Sequence, residues 1–268
     1  MKKTVKIIII MVFLLLLNSL ILTQIHIFAS LQNENLDSEL KAINYEIINV
    51  YPHAIDAFTQ GLVFHQGYLY ESTGQYGSSS LRKTDYQSGE IIKSIQLGKN
   101  YFAEGITIFD NKIYQLSWRE NTAFVYDLDF NLIKTFNYQG EGWGLTANEN
   151  YLIMSDGSQF IYYRQADTFE IVKKIAITAD GVPLQNINEL QYLDGYLYAN
   201  IWLEDYIVKI DPKKAQVKAY LDLKNIIDKD QYEHQLDVLN GIAYLEERGS
   251  FIVTGKLWPK SFEIVLID

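Results

Sequence analysis

Apolar and polar residues alternate along most of this chain in short runs, and the runs are broken by Asn, Asp and Gly. Period two bounded by such residues predicts half-buried strands joined by tight turns. The clearest set predicts a strand over 104–109, a turn at Asp110-Asn111, and strands over 112–118, 122–127 and 132–138. Similar four-strand sets run over 58–97, 141–177 and 186–223. A last set after Asn240 offers 241–245, 250–256 and 262–267 and comes up one strand short, while a spare strand, 45–51, stands ahead of the first set.

Each set opens on a related step: Gln60-Gly61-Leu62, Glu104-Gly105-Ile106, Trp143-Gly144-Leu145, Asn188-Glu189-Leu190 and Asn240-Gly241-Ile242, with Glu in the fourth copy where the others have Gly. Successive openings lie 44, 39, 45 and 52 residues apart, the period range of four-stranded propeller blades. The pattern therefore predicts an all-β fold, a five-bladed β-propeller whose ring is closed by strand 45–51 completing the last blade. Such closure hides edges that would otherwise invite aggregation. A sandwich of about twenty strands fits so regular a period poorly.

Residues 1–30 stand apart. Lys2, Lys3 and Lys6 precede an apolar run, and small residues follow at Ala29-Ser30, as in a secretory signal. The alternative is an uncleaved membrane anchor, since Val5 to Leu22 is nearly long enough to span a bilayer. Either reading exports the rest: a polar linker over 31–42 and the propeller over 43–268. The product is thus expected outside the cytoplasm, touching membrane only through residues 5–22.

Composition narrows the chemistry. A net charge of −10 argues against a nucleic-acid partner, which needs clustered Lys and Arg. With no cysteine, disulfides, thiolate catalysis and zinc–thiolate sites are excluded. His26, His53, His65 and His234 lack metal-ligand spacing, so neither metal nor cofactor is expected.

In a propeller the inner strands point at one axis, and the start of strand one lies beside the end of strand two. Gln60, Glu104, Trp143, Asn188 and Asn240 should therefore meet Glu71-Ser72-Thr73, Trp118, Asp156, Trp202 and Lys256 on one rim. That set holds apolar walls and a few convergent polar groups, the general form of a small-ligand site. Each member also has a plainer reading. The tryptophans fit inter-blade packing, the asparagines fit turn or channel amides, and Lys256 fits a solvated charge or a channel salt bridge with Glu104.

At these residues the chain resembles the glutamine cyclotransferase family, the plant and bacterial type of glutaminyl-peptide cyclotransferase. The matching segments include Phe58-Thr59-Gln60-Gly61-Leu62, Tyr101-Phe102-Ala103-Glu104-Gly105, Gly142-Trp143-Gly144-Leu145, Asn188-Glu189-Leu190, Ala199-Asn200-Ile201-Trp202 and Val253-Thr254-Gly255-Lys256-Leu257-Trp258. The likeness runs in order over residues 44–268. It implies an enzyme, a monomer, that converts N-terminal glutamine of peptides or proteins to pyroglutamate and releases ammonia without a metal. It implies Glu104 as the catalytic proton shuttle, and Gln60, Trp118, Trp143, Asn188, Trp202 and Lys256 as substrate-binding residues. Two departures are visible: Ala103 where Gly is usual, and Glu141 where Asp is common. The rival from another class is a non-catalytic extracytoplasmic propeller that binds peptides or glycans; fold alone does not separate the two.

Overall fold

The computed structural model describes residues 40–267. The expected signal or anchor and most of the 31–42 linker lie outside the described residues. The β-rich unit begins at Lys41. Four of its sheets are antiparallel meanders of four strands. The first holds Thr59–His65, Tyr68–Thr73, Ser80–Thr84 and Ile91–Gln96, and the second Ala103–Phe109, Lys112–Ser117, Thr122–Asp127 and Leu132–Asn137. The third holds Leu145–Ala147, Leu152–Ser155, Phe160–Arg164 and Ile171–Ala176. In the last, Leu239–Leu245, Ser250–Gly255 and Lys260–Ile267 are joined by the N-terminal strand Asn44–Pro52.

The expectation of a five-bladed propeller is corrected by this topology: four blades have the regular four-stranded form, not five. The strands Ile187–Leu193, Tyr196–Ile201, Tyr206–Asp211 and Gln216–Asp222 belong to a seven-stranded sheet. Its outer strand, Gln216–Asp222, receives Lys41–Ala42 in parallel beside Ala219 and Tyr220, and also Thr178 of Thr178–Ala179 beside Gln216. Val182–Pro183 pairs onward with Thr178–Ala179. These additions cover backbone groups that a four-stranded blade leaves at its edge.

The last described strand pairs with the one that precedes the first sheet. Asn44–Pro52 runs antiparallel to Lys260–Ile267, from Asn44 opposite Ile267 to Pro52 opposite Lys260, with one register shift between Ile47 and Asn49. This strand presents Ile47, Ile48 and Val50 to solvent. Its inward hold comes from Asn49 and Tyr51, which both donate to Oε2 of Glu263 at 2.8 and 2.7 Å.

The core lies between neighbouring sheets, because both faces of an inner strand are covered. Tyr70, Leu81, Ile106, Ile113, Tyr126 and Phe130 pack between the first and second sheets. Leu62, Leu69, Ala243, Leu245 and Ile252 pack between the first and last. Trp258 is buried in the cluster joining the last sheet to the seven-stranded one.

Towards the axis, the recurring glycine has a steric cause. A Cβ on Gly105 would lie 2.5 Å from both the Leu145 nitrogen and the Trp143 oxygen, and one on Gly144 would strike the Asn188 carbonyl oxygen. Inner strands of adjacent sheets approach too closely there for any side chain. Glu189, where that glycine is replaced, spans the axis with its carboxylate. It accepts from the Leu62 nitrogen at 3.1 Å and the Ile242 nitrogen at 3.2 Å, tying its own sheet to the first and the last.

Candidate active site

One structural device recurs at the start of the first strand. The register shifts between Thr59 and Gly61, Ala103 and Ile106, Ile187 and Leu190, and Leu239 and Ile242. A bulge re-aims the side chains it contains, and the residues at these shifts are Gln60, Glu104, Asn188 and Asn240. The residue just after strand two is held in a matching way. The backbone N–H groups of Trp118, Trp202 and Lys256 donate to the carbonyls of Phe102, Asn186 and Val238 at 2.8, 2.9 and 2.9 Å. Bulge and clasp together bring two rows of side chains, far apart in sequence, to one mouth.

That mouth is a cavity of about 270 Å³ lined by Phe58, Gln60, Phe102, Glu104, Trp118, Trp143, Asn188, Trp202 and Lys256. All seven residues singled out from the sequence line it. Other residues expected on the rim do not. Asn240 donates to the Thr59 carbonyl at 3.0 Å and is fully buried. Glu71 accepts from Thr59 Oγ1 at 2.7 Å and lies 2.9 Å from His53 Nε2. Asp156 caps its own turn through Ser158 and accepts from the Tyr162 hydroxyl. Phe58 and Phe102 escaped the sequence reading. The available signal was their shared offset, two residues before Gln60 and Glu104.

The walls are aromatic and interlocked. Trp143 meets Trp202 edge to face with centroids 5.6 Å apart, and Phe102 meets Trp118 in the same way at 5.6 Å. Phe58 and Phe102 form a further edge-to-face pair at 6.2 Å. Such pairs hold ring orientations as well as area.

The floor is polar. Glu104 is buried and accepts from Gln60 Nε2 at 3.2 Å. Burial pushes its carboxyl well above the usual carboxylate range; Lys256 pulls the other way, and Glu141 and Glu120 add to the rise. Lys256 is buried too, and desolvation lowers its ammonium pKa against the opposing pull of Glu104 and Asp237. Its Nζ sits over the Phe58 ring, 4.9 Å from the centroid. It therefore acts on Glu104 through space and not in the contact ion pair weighed from the sequence. Gln60 Oε1 and Asn188 Oδ1 are buried acceptors with no hydrogen-bond partner. Unsatisfied buried acceptors are costly, and here they line the cavity where a ligand N–H would satisfy them. A carboxyl of raised proton affinity, a cation and two amide acceptors within aromatic walls suit acyl transfer involving an amine.

Fold and pocket together describe a β-propeller enzyme with a buried carboxyl, that of Glu104, in its cavity. The chain belongs to the glutamine cyclotransferase family, whose model matches residues 19–266. It is similar to a glutaminyl-peptide cyclotransferase of Arabidopsis thaliana, 35% identical over 238 residues, covering 87% of this chain and 74% of that protein. It is also similar in structure to a glutaminyl cyclase of Myxococcus xanthus known from a crystal structure. There the TM-score is 0.79 and the identity 36%, with 86% of this chain and all of that one covered.

Proposed function

We propose how this glutaminyl-peptide cyclotransferase works. The observation that carries the reading is a single tryptophan-walled cavity lined by the buried Glu104 and by Gln60 and Asn188, whose amide oxygens have no partner. An N-terminal glutamine enters with its α-nitrogen and γ-carboxamide folded towards each other. Trp118, Trp143 and Trp202 pack against its methylenes and keep water, a competing nucleophile, away. Gln60 Oε1 and Asn188 Oδ1 accept N–H bonds from the α-amine and the carboxamide. Glu104, ionised, takes a proton from the α-ammonium, whose ordinary pKa is about 7.7–8.0. The freed amine attacks the carboxamide carbon, and the Lys256 ammonium faces the oxygen on which negative charge develops. Glu104 then gives that proton to the amide nitrogen and the old C–N bond breaks. Ionised again, it takes the second proton from the new ring nitrogen and passes it to the departing ammonia, so that the neutral five-membered lactam and ammonium remain. Holding both reacting groups of one molecule in a near-attack shape supplies at most about 7–11 kcal/mol of barrier reduction.

The test is ammonia release from glutamine-initiated dipeptides by purified protein. Glu104→Gln keeps the shape and removes the shuttle, so turnover should fall by about 10²-fold or more with the fold intact. Near-full turnover by that variant would remove Glu104 from the role. Absence of ammonia from every glutamine-initiated peptide would favour a peptide-binding propeller. We place the reaction outside the cytoplasm on the N-terminal pattern alone; recovery only from the cytosolic fraction would refute that placement.

A further inference from the structure

One carboxylate at the edge of the cavity does something that no proton transfer requires. Glu141 Oε2 accepts both from the Trp118 indole at 2.7 Å and from the Trp143 indole at 3.0 Å. Its other oxygen accepts from Arg119 Nε at 3.0 Å, and the Arg119 guanidinium stacks over the Trp118 ring, 3.7 Å from its centroid. Two walls from neighbouring sheets thus hang on a single oxygen atom, and the cation that neutralises it also presses one wall into place. The position is singular in the repeat. Two residues before the opening residue of each set stand Phe58, Phe102, Glu141, Asn186 and Val238, so only the third set carries an acid there.

We propose that Glu141 is the positioning residue of the pocket, a clamp that fixes the angle between the Trp118 and Trp143 walls and so the fold of the bound glutamine side chain. The physical argument is one of freedom. An indole ring on a loop just past a strand end turns about two torsions, and ring contacts alone leave a choice of angles. An N–H bond to a charged acceptor is short and directional, and two such bonds to one oxygen fix both rings against each other. Trp143 passes the restraint to Trp202 through their edge-to-face contact. A glutamine side chain must be bent within these walls to bring its ends together, so a splayed wall loses the bent conformer more than it loses binding.

The clamp rests on the cyclotransferase reading for its kinetic consequence but not for its spectroscopic one, and the test uses both. In Glu141→Leu, kcat/KM for a glutamine-initiated dipeptide should fall by about 10²-fold, the scale of a small misplacement of reacting groups, with most of the loss in kcat. The chain has four tryptophans. In ¹H–¹⁵N spectra of the same variant, the Trp118 and Trp143 indole signals should move, while that of Trp258, bonded to the Asp237 carbonyl, stays. Glu141→Gln keeps an acceptor oxygen and should recover at least about tenfold of the lost rate; it also serves if the leucine variant does not fold. Unmoved Trp118 and Trp143 signals, or turnover within about twofold of the natural protein, would overturn the clamp. A fall in melting temperature with kcat unchanged in the folded fraction would overturn it too, leaving a purely structural contact. If the natural protein releases no ammonia at all, the cyclotransferase reading fails and the indole signals alone decide the clamp.

Discussion

Closure of the ring makes a prediction whose size follows from one side chain. Glu263 lies in strand Lys260–Ile267, opposite Asn49 on the N-terminal strand and Ile252 on the other side. Its side chain is fully buried and takes five hydrogen bonds. Oε1 accepts from Arg248 Nε at 2.5 Å and Ser250 Oγ at 2.6 Å. Oε2 accepts from Arg248 Nη2 at 3.2 Å, Tyr51 Oη at 2.7 Å and Asn49 Nδ2 at 2.8 Å. In Glu263→Gln one oxygen becomes an NH₂ group facing donors. The Ser250 and Tyr51 hydroxyls can turn to accept, but the Arg248 and Asn49 N–H groups cannot. Breaking a buried charged network costs about 3–5 kcal/mol, and the turning hydroxyls place this case near the lower end, about 3 kcal/mol. For a domain of this size each kcal/mol shifts Tm by about 2–4 °C, so thermal melts at pH 7 should show a loss of about 6–12 °C. Turnover measured well below the melt should be unchanged, because Glu263 lies outside the cavity. Burial alone would raise the Glu263 pKa, but hydrogen bonds from Arg248, Ser250, Tyr51 and Asn49 outweigh it and lower it to about 2. A depressed pKa contributes stability above the unfolded value, near 4.5, and that stability is lost as pH falls towards 2. The Tm gap between natural protein and variant should therefore hold steady above pH 5 and close in acid. A loss under about 2 °C at pH 7, or a gap unchanged in acid, would refute the reasoning.

Glu104 runs in the opposite direction. Its raised pKa contributes stability that fades as pH rises through that value, so Glu104→Gln should melt above the natural protein by a margin that widens with pH, while kcat/KM of the natural protein falls on the acid side with a midpoint above the ordinary carboxylate value; an equal margin at pH 5 and pH 9 contradicts this. Gly105→Ala places a methyl against the Leu145 nitrogen and Trp143 oxygen, and soluble yield and turnover should both drop; normal yield and rate would show the inner strands free to part. The buried His53–Glu71 pair is bounded on two sides. Burial disfavours charge on His53, but Glu71 outweighs it and raises the pKa; burial likewise opposes charge on Glu71, and His53 and Thr59 bring its pKa down. The pair's contribution is full between the ordinary carboxylate and imidazole values, fades in acid as Glu71 protonates, and fades above pH 6.5 as His53 titrates. His53→Gln should accordingly cost most in melts near pH 5.5, and a cost rising towards pH 9 would contradict the pairing.

Much of the architecture is local and was therefore open to the sequence alone. Period-two alternation and Asn, Asp and Gly turns set the strands of 104–138 to within a residue or two, because a side chain's face depends only on its place in its own strand. The shortage of one strand after Asn240 and the surplus before Gln60 demanded closure by counting. The convergence of Gln60, Glu104, Trp118, Trp143, Asn188, Trp202 and Lys256 followed from hairpin geometry repeated about an axis, together with the family resemblance. What remained depends on contacts between residues distant in the chain. Strands of two residues, such as Lys41–Ala42 and Thr178–Ala179, carry no alternation, and only their pairing with Gln216–Asp222 turns a four-stranded blade into a seven-stranded sheet. Ile47, Ile48 and Val50 are apolar, yet the closing strand is the outermost of its sheet and leaves them in solvent. Bulges, which aim Gln60, Glu104 and Asn188 at the cavity and turn Asn240 onto the Thr59 carbonyl, are properties of a strand pair and not of either strand. The proton affinity of Glu104 and the hold of Glu141 on two indoles belong to the tertiary structure for the same reason. Desolvation and hydrogen bonding are set by what surrounds a group, and only the closed ring assembles those surroundings.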